Sequence, residues 1–395
     1  MNKAKNINSG GLFSIMRHEF RMIFSDSGVL LITIFAMLIY TTIYSLAYGN
    51  EVVERVAIAV IDNDNSPSSR SVIEGLQSGP NTEVRYILRS IEEAKRLFFM
   101  REIFGIVIIP NGFERDVLNG NIANIATILD GSHLLLYKGV LEQATKDALT
   151  NGATIEASRL MVRGMNGVEI EDIVQPVAYD GHTLHNPSGG YGSFVMPSIV
   201  VVIMQQTIII GLAMLAARRR NMIMKAINPI VSTMAKVLTY IVIYGINLTI
   251  ILAIIWPLFG FPFEGNIVDI AIVMTLYIVA IAALGLSLSH LFNRRETPLM
   301  LLLWSSVPIL LLAGVSYPKE AFPEWLYVVG KVFPSSSAVN AFVNIGSAGA
   351  TLGDVWPDVA TLIALALIYL SIAIYTEKKS MSKNIPKIVD KNFAE

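Results

Sequence analysis

The sequence predicts an α-helical polytopic membrane protein with six transmembrane helices and an α/β domain inserted between the first and second helix. Hydrophobic residues make up 53% of the 395 residues and charged residues only 15%, whereas soluble proteins have about 25% charged residues. The apolar residues are concentrated in six long runs, while the segment 49–193 has the mixed composition of a soluble domain. This composition excludes an ordinary soluble enzyme, and the net charge of −1 argues against a nucleic-acid binder.

The six apolar runs have the length of membrane spans. A helix rises 1.5 Å per residue, so about 20 apolar residues cross a hydrocarbon core of about 30 Å. No Asp, Glu, Lys or Arg lies near the middle of a run. We interpret the first run as an uncleaved anchor, because it is too long for a typical signal-peptide core. The predicted spans cover residues 29–48, 194–217, 237–259, 267–292, 298–315 and 359–375.

The positions of Lys and Arg predict the orientation of these spans. Basic residues precede the first span and follow the second, fourth and sixth, which places both termini in the cytoplasm. Residues 16–25 have the spacing of an interfacial helix, with Met16, Phe20 and Ile23 or Phe24 on its apolar face. The predicted organisation is a cytoplasmic N-terminus (1–28), the first span (29–48), an extracytoplasmic domain (49–193), five further spans (194–375) and a cytoplasmic tail (376–395).

The inserted segment predicts a sheet with parallel strand pairs, because short β-branched runs alternate with helical patterns. Ser90 and Glu93 have the spacing of a capping box, and Asn111 is placed to cap the helix that follows it. Glycine and proline in 182–192 predict a flexible linker. The predicted strands are 56–61, 84–88, 104–109 and 125–129, and the predicted helices are 69–76, 90–100, 113–118 and 134–165.

No motif supplies catalytic chemistry, so we predict no catalytic, cofactor-binding or metal-binding residues. The pair Gly330-Lys331 is followed by Val332 and lacks the Walker A spacing that cradles the phosphates of ATP. His182 and His185 form a close pair, but a zinc site needs a third ligand, and an exposed polar loop is the alternative. The absence of cysteine excludes disulfides and thiolate metal sites.

Three amide side chains lie inside the predicted spans: Gln205, Gln206 and Asn247. They either line a substrate path or form hydrogen bonds between helices, and the sequence leaves both interpretations open. An ion-coupled carrier usually has a titratable group near the bilayer midplane. The predicted spans have none there, which disfavours a carrier of that kind.

Residues 317–346 are too often interrupted by proline to form a span. Pro318 and Pro323 follow the fifth run, and Pro334 ends an amphipathic stretch that contains Trp325 and Tyr327. Aromatic residues of this kind favour the membrane interface. We therefore expect a re-entrant or interfacial segment here.

The order of several short motifs resembles the ABC type-2 transporter permeases, in the branch with a large extracytoplasmic domain. Residues 56–64 resemble the opening strand and Asp turn of that domain, and residues 108–114 resemble its Ile-Pro turn. Asn186-Pro187 resembles the Asn-Pro pair that precedes the second span. The late segment AGVSYP, PEWL and FP completes the resemblance, and its motif residues are Gly314, Tyr317, Pro318, Pro323, Trp325 and Pro334.

The resemblance implies the transmembrane permease subunit of an ATP-driven exporter in the bacterial cytoplasmic (inner) membrane. Such a subunit has no ATPase site of its own; ATP and Mg²⁺ would bind to a separate ATP-binding cassette subunit. A second permease would complete a homodimer or heterodimer. The position of the inserted domain, apart from the resemblance, suggests a periplasmic adaptor as a further partner. The expected substrate is apolar or amphipathic, drug-like or lipid-like, and leaves the cytoplasm or the inner leaflet.

The resemblance also places the contact with the ATPase in the loop after the second span. This loop departs from the Glu-rich and Gly-Thr pattern of many relatives, and positive-inside anchoring is the alternative role of its basic residues. Two other functions stay open: a receptor or scaffold that binds a ligand through the α/β domain, and an ion-coupled carrier. The candidate coupling residues are Arg218, Arg219, Arg220, Asn221 and Lys225.

Overall fold

A computed structural model of the chain describes residues 11–174, 184–187, 189–220, 228–292, 297–315 and 317–392. The chain divides into two compact units, an α/β unit over Val52–His182 and a helical unit made of the rest. In chain order the described elements are α1 (Leu12–Phe24), α2 (Ser27–Tyr48), β1 (Val56–Asp62), α3 (Pro67–Ser78), β2 (Thr82–Leu88), α4 (Ile91–Phe99), β3 (Gly105–Ile109), α5 (Phe113–Asn119), β4 (Ala126–Leu129), α6 (Leu134–Val162), α7 (Gly167–Val174), α8 (Tyr191–Arg220), α9 (Pro229–Leu258), α10 (Ile267–Ser289), α11 (Thr297–Leu312), α12 (Glu324–Lys331), α13 (Pro334–Gly346) and α14 (Trp356–Asn392).

Five helices of the described residues are long and apolar enough to cross a membrane: α2, α8, α9, α10 and α14. The predicted fifth span corresponds to α11, which has 16 residues and is therefore about 24 Å long. This length is shorter than a hydrocarbon core of about 30 Å. Six spans therefore remain a prediction.

Helix α8 forms the centre of the helical unit. In its most apolar stretch 83% of the residues are buried, against 28% in α2. Glycines allow its neighbours to approach closely: a Cβ atom on Gly211 would lie 2.3 Å from Cγ2 of Thr33 on α2, and one on Gly285 of α10 would lie 2.8 Å from Cδ1 of Leu212. Small residues at such contacts permit tight helix packing in a bilayer.

The sheet of the α/β unit has the order β2-β1-β3-β4. Strand β1 pairs in parallel with β2 and β3, and β3 pairs antiparallel with β4, so the prediction of parallel pairs is confirmed. Alternate side chains of β1 enter two separate cores. Ile58 and Val60 pack with α3, α5 and α6, whereas Ala59 and Ile61 pack with α4.

Two details of helix capping differ from the sequence predictions. The Ser90 hydroxyl caps α4, because its oxygen accepts a hydrogen bond from the amide of Glu92. The same hydroxyl donates to Oε2 of Glu92 at 2.7 Å. No capping box with Glu93 forms. A capping box instead opens α3, where Ser66 and Ser69 exchange hydrogen bonds. The sequence analysis missed this box because Ser69 replaces the Glu or Gln that usually completes the pattern.

A carboxylate from a distant loop caps helix α5. Oδ1 of Asp64 accepts a hydrogen bond from the amide of Gly112 at 2.7 Å, and Oδ2 accepts one from the amide of Glu114 at 2.9 Å. The N-cap residue is Gly112, with φ 83°, so the expectation of a cap by Asn111 is wrong. These loops follow the carboxyl ends of the parallel strands β1 and β3, where open α/β sheets commonly bind ligands. Here the carboxylate of Asp64 binds the amides at the N-terminus of α5 in place of a ligand.

We expect Asp64→Asn to lower the free energy of unfolding of the α/β unit by about 1–2 kcal/mol, because the α5 amides lose a charged acceptor. The Ser66 hydroxyl and the amides of Glu114 and Gly112 lower the pKa of the Asp64 carboxyl below its ordinary 3.8. A folded-state pKa that is lowered stabilises the fold at every pH above the unfolded pKa. The difference in the free energy of unfolding between the natural chain and Asp64→Asn should therefore be fully present at pH 7. It should disappear as the pH falls below 3.8 through the pKa of Asp64 in the folded state.

Amide hydrogen exchange of β1 and β3 in the full chain, corrected for intrinsic exchange rates, measures this difference. Asp116→Asn is the matched control, because that carboxylate contacts the exposed neighbour Arg115 at 3.4 Å. Equal protection of β1 and β3 in Asp64→Asn and Asp116→Asn at pH 7 would contradict the proposed cap.

Candidate functional site

An ion pair joins α1 to the end of α8 in the interior of the helical unit. A guanidinium nitrogen of Arg219 contacts Oε1 of Glu19. The side chain of Glu19 is 2% exposed and that of Arg219 is 10% exposed. Because an unpaired charge in such an environment is strongly unfavourable, each residue requires the other.

A second buried ion pair joins α9 to α14. Nζ of Lys236 lies 2.6 Å from Oε1 of Glu377, and the Ser232 hydroxyl donates to the same oxygen at 2.9 Å. Nε2 of His290, at the end of α10, lies 3.6 Å from the other carboxylate oxygen. We call the two ion pairs, Glu19–Arg219 and Lys236–Glu377, the ionic layer.

The ionic layer includes one of the five candidate coupling residues, Arg219. Arg218 and Arg220 belong to α8, but their side chains lie outside the described residues, as do Asn221 and Lys225 entirely. The sequence analysis missed Glu19 because the predicted apolar face of α1 is turned by about one residue from the buried face. Of the predicted residues, Ile23 is buried and Phe20 packs against the core, but the most buried residues are Ile15, Glu19, Met22 and Ile23. An acidic residue in line with three buried apolar residues is the signal that could have identified it.

Helices α12 and α13 form two arms that meet at Val332–Phe333, inside the segment 317–346. Polar side chains of two long helices satisfy the backbone where the arms meet. The hydroxyl of Tyr369 on α14 donates to the carbonyl of Val332 at 2.6 Å, and Oε1 of Gln205 on α8 accepts from the amide of Ser335 at 3.1 Å. Both side chains lie near the middle of their helices, so this apex reaches deep into the helical unit.

The three amide side chains of the predicted spans have different surroundings. Gln205 holds the apex as described, and Asn247 donates to the carbonyls of Thr33 and Ile34 on α2 at 3.3 and 3.4 Å. Those carbonyls belong to a π-helical turn of α2, a widened turn that is often found at functional sites. Gln206 differs from both, because its amide oxygen and nitrogen are buried without a hydrogen-bond partner among the described residues.

The family-motif residues shape the two arms. Gly314 has φ 80° and ends α11 in the left-handed conformation, which favours glycine. The ring of Tyr317 stacks on Phe322 with centroids 6.0 Å apart. Trp325 on α12 is 67% exposed. The prolines stand at element starts: Pro318 before the turn Lys319–Ala321, Pro323 before α12 and Pro334 as the first residue of α13.

The segment before α8 is tied to the end of α2. Glu51 accepts hydrogen bonds from the amide and hydroxyl of Ser193, at 3.1 and 2.8 Å. Asn186 exchanges two hydrogen bonds with Gly190, which gives the Asn-Pro motif a structural role. The described part of the predicted flexible linker is therefore fixed by specific contacts.

The histidine pair of this segment is described only in part. Nδ1 of His185 lies 2.9 Å from Oε2 of Glu264, and His182 lies outside the described residues. No group of three or more potential metal ligands occurs in the part of the chain that the structure describes.

We expect Gln205→Leu to lower the free energy of unfolding by about 1–3 kcal/mol, because the buried Ser335 amide would lose its acceptor. Gln206→Leu is the matched control, since it removes an amide that makes no hydrogen bond with the residues that the structure describes. Tryptophan fluorescence during thermal unfolding in detergent measures the change, and all four tryptophans, Trp256, Trp304, Trp325 and Trp356, lie in the helical unit. Equal melting temperatures for the two variants would contradict this role of Gln205.

Comparison with known proteins identifies the family. The family model described as "ABC-2 family transporter protein" matches residues 27–375. The "Probable multidrug ABC transporter permease YbhR" of Escherichia coli (strain K12) is 22% identical over 90% of this chain and 94% of its own length. The "Inner membrane transport permease YhhJ" of the same organism is 23% identical over 94% of this chain and 97% of its own length. The chain is therefore a multi-pass membrane permease that belongs to the ABC-2 family of transporter proteins.

Proposed function

We propose that this permease exports an apolar or amphipathic substrate, drug-like or lipid-like, from the cytoplasm or the inner leaflet. ATP hydrolysis on a separate ATP-binding cassette subunit supplies the energy. The chain lies in the cytoplasmic membrane with both termini in the cytoplasm, and its α/β unit lies outside. It works as a pair with a second permease, identical or related, and the α/β unit contacts a periplasmic adaptor.

The ionic layer is the observation that carries this proposal. An energy source on another chain requires a route by which force reaches the spans. The Glu19–Arg219 pair ties the amphipathic helix α1 to α8, and Lys236–Glu377 ties α9 to α14. Breaking one such buried pair by removing a partner costs about 3–5 kcal/mol. The joined helix ends therefore move together when α1 or the loop after α8 is displaced.

The sequence and the relatives support the rest of the proposal. The chain contains no Walker A motif, and ABC transporter permeases use ATP through a partner subunit. The relative named a probable multidrug permease favours drug-like substrates. The apolar, charge-free middle of the spans suits a substrate that is itself apolar over much of its surface.

The proposed mechanism is mechanical. ATP closes the two nucleotide-binding subunits, and their movement displaces α1 and the residues around 218–236. The ionic layer transmits this displacement to α8, α9 and α14. Because α8 and α14 hold the apex between α12 and α13 through Gln205 and Tyr369, that segment shifts as well. The substrate leaves between the rearranged spans.

Reconstitution of the chain in liposomes with the ATP-binding cassette subunit that co-purifies with it tests the proposal. We expect outward movement of a fluorescent amphiphilic drug that requires both ATP and the ATPase subunit. A Walker A Lys→Ala variant of the ATPase should abolish the movement. Transport by the chain alone on an ion gradient, with no ATPase bound, would overturn the proposal in favour of an ion-coupled carrier.

We expect the double variant Glu19→Leu/Arg219→Met to retain ATP hydrolysis while transport per ATP falls about tenfold. Replacing both members of a buried ion pair with apolar residues usually preserves the fold, whereas replacing one does not. Parallel assays of ATP hydrolysis and drug transport measure the ratio.

The matched control is Glu156→Leu/Arg159→Met, which removes an ion pair of 2.7 Å at the surface of α6. Unchanged transport per ATP in the Glu19/Arg219 double variant would show that the ionic layer does not transmit the movement.

A further inference from the structure

A polar cleft lies between the two arms of the segment 317–346 and the start of α14. Its cavity volume is about 70 Å³, which leaves room for one small polar group and not for a whole drug-sized molecule. The cleft is separate from the ionic layer and from the apex contacts of Gln205. Its polar and charged lining residues are Lys319, Lys331, Ser336, Ser337, Asn340 and Asp358.

The first turn of α13 forms one wall of the cleft. This helix has 13 residues, and the N-terminus of a helix carries a partial positive charge that attracts anions. The Ser337 side chain lines the cleft and is 3% exposed. No hydrogen bond among the described residues involves its hydroxyl. The hydroxyl oxygen is not one of the fully enclosed polar atoms without a partner, so it faces the cleft and can bond a ligand there.

The charges around the cleft favour an anion. Lys319 donates from Nζ to the carbonyl of Ser336, which fixes its ammonium beside the first turn of α13. Nζ of Lys331 lies 4.6 Å from the ring centroid of Tyr327. Among the described residues that line the cleft, Asp358 carries the one carboxylate, and it accepts a hydrogen bond from Asn340 at 2.5 Å. With the helix N-terminus added, the balance of charge in the cleft is positive.

The outer face of α12 adds an apolar surface next to the cleft. Tyr327, Gly330 and Lys331 line the cleft. Val328 is the neighbour of Lys331 one turn earlier and lies at the edge of this face, and Val329 and Val332 follow around the helix. These three valines are 58%, 43% and 54% exposed. A ligand with an anionic head and apolar chains matches this juxtaposition, because the head fits the cleft and the chains lie against the valines.

We propose that the cleft binds the phosphate headgroup of an amphiphile. The phosphate oxygens accept hydrogen bonds from the Ser337 hydroxyl and from Lys331, and Lys319 adds a nearby positive charge. This inference rests on the proposed function in naming the substrate class, a phosphate-bearing amphiphile rather than a neutral one. Asp358 lies where an amino group of a zwitterionic headgroup would be attracted.

Calorimetric titration of the purified full chain in a neutral detergent tests the site. The probes are dioctanoyl phosphatidylglycerol, dioctanoylglycerol, which lacks the phosphate, and inorganic phosphate. We expect the phospholipid to bind at least about tenfold more tightly than either of the others. Equal binding of dioctanoylglycerol, or inorganic phosphate as tight as the phospholipid, would overturn the proposal, as would no binding at all.

Lys331→Gln and Ser337→Ala should each weaken binding of the phospholipid by about tenfold, because each removes one hydrogen bond to a charged group. Both changes are conservative for the fold: Lys331 is exposed and Ser337→Ala retains a small helical residue. Lys138→Gln, an exposed lysine of α6, is the matched control. Binding that is unchanged in Lys331→Gln and Ser337→Ala would place the phospholipid elsewhere and overturn the proposal.

This experiment separates the inference from the proposed function, because binding is measured without an ATPase. Intact binding with failed ATP-driven transport would overturn the proposed function alone. Loss of binding in Lys331→Gln with full ATP-driven transport of a phosphate-bearing amphiphile would overturn the inference alone.

Discussion

The absence of water from the bilayer core is the constraint on which the helical unit depends. A backbone amide or carbonyl that finds no partner inside the protein costs several kcal/mol there. A long helix meets this requirement within itself, but the turn between α12 and α13 does not. Tyr369 and Gln205 reach this turn from α14 and α8 and satisfy Val332 and Ser335. Two side chains of long helices thus satisfy the backbone of an interrupted segment.

The same constraint acts on charge. Glu19, Arg219, Lys236 and Glu377 are nearly inaccessible to solvent, and each lies beside a charge of opposite sign. Because every pair joins two different helices, the pairs fix the relative positions of helix ends that packing alone would allow to slide. Buried ion pairs add little net stability, but an arrangement that separates the partners leaves each charge buried and uncompensated. This property suits a protein whose helices are expected to move as units.

Sequence reasoning predicted what depends on local pattern. Span positions and the strands of the α/β unit follow from run length and side-chain periodicity, which neighbouring residues determine. Contacts between distant residues were not predictable in this way. Glu19 and Arg219 are 200 positions apart, and Asp64 caps a helix about 50 positions away in place of the adjacent Asn111. The cleft beside α13 also depends on how four separate elements meet, which no single motif encodes.

Helix α14 has 37 residues, which gives a length of about 55 Å, well beyond a hydrocarbon core of about 30 Å. Glu377, held by Lys236, lies about 12 Å along the axis from Tyr369 and about 22 Å from the last described residue, Asn392. Treated as a rigid rod that pivots at Glu377, α14 acts as a lever. A sideways push on the long arm would move the apex contact at Tyr369 in the opposite direction and by about half the distance, so α14 can reverse and reduce a movement that begins outside the bilayer.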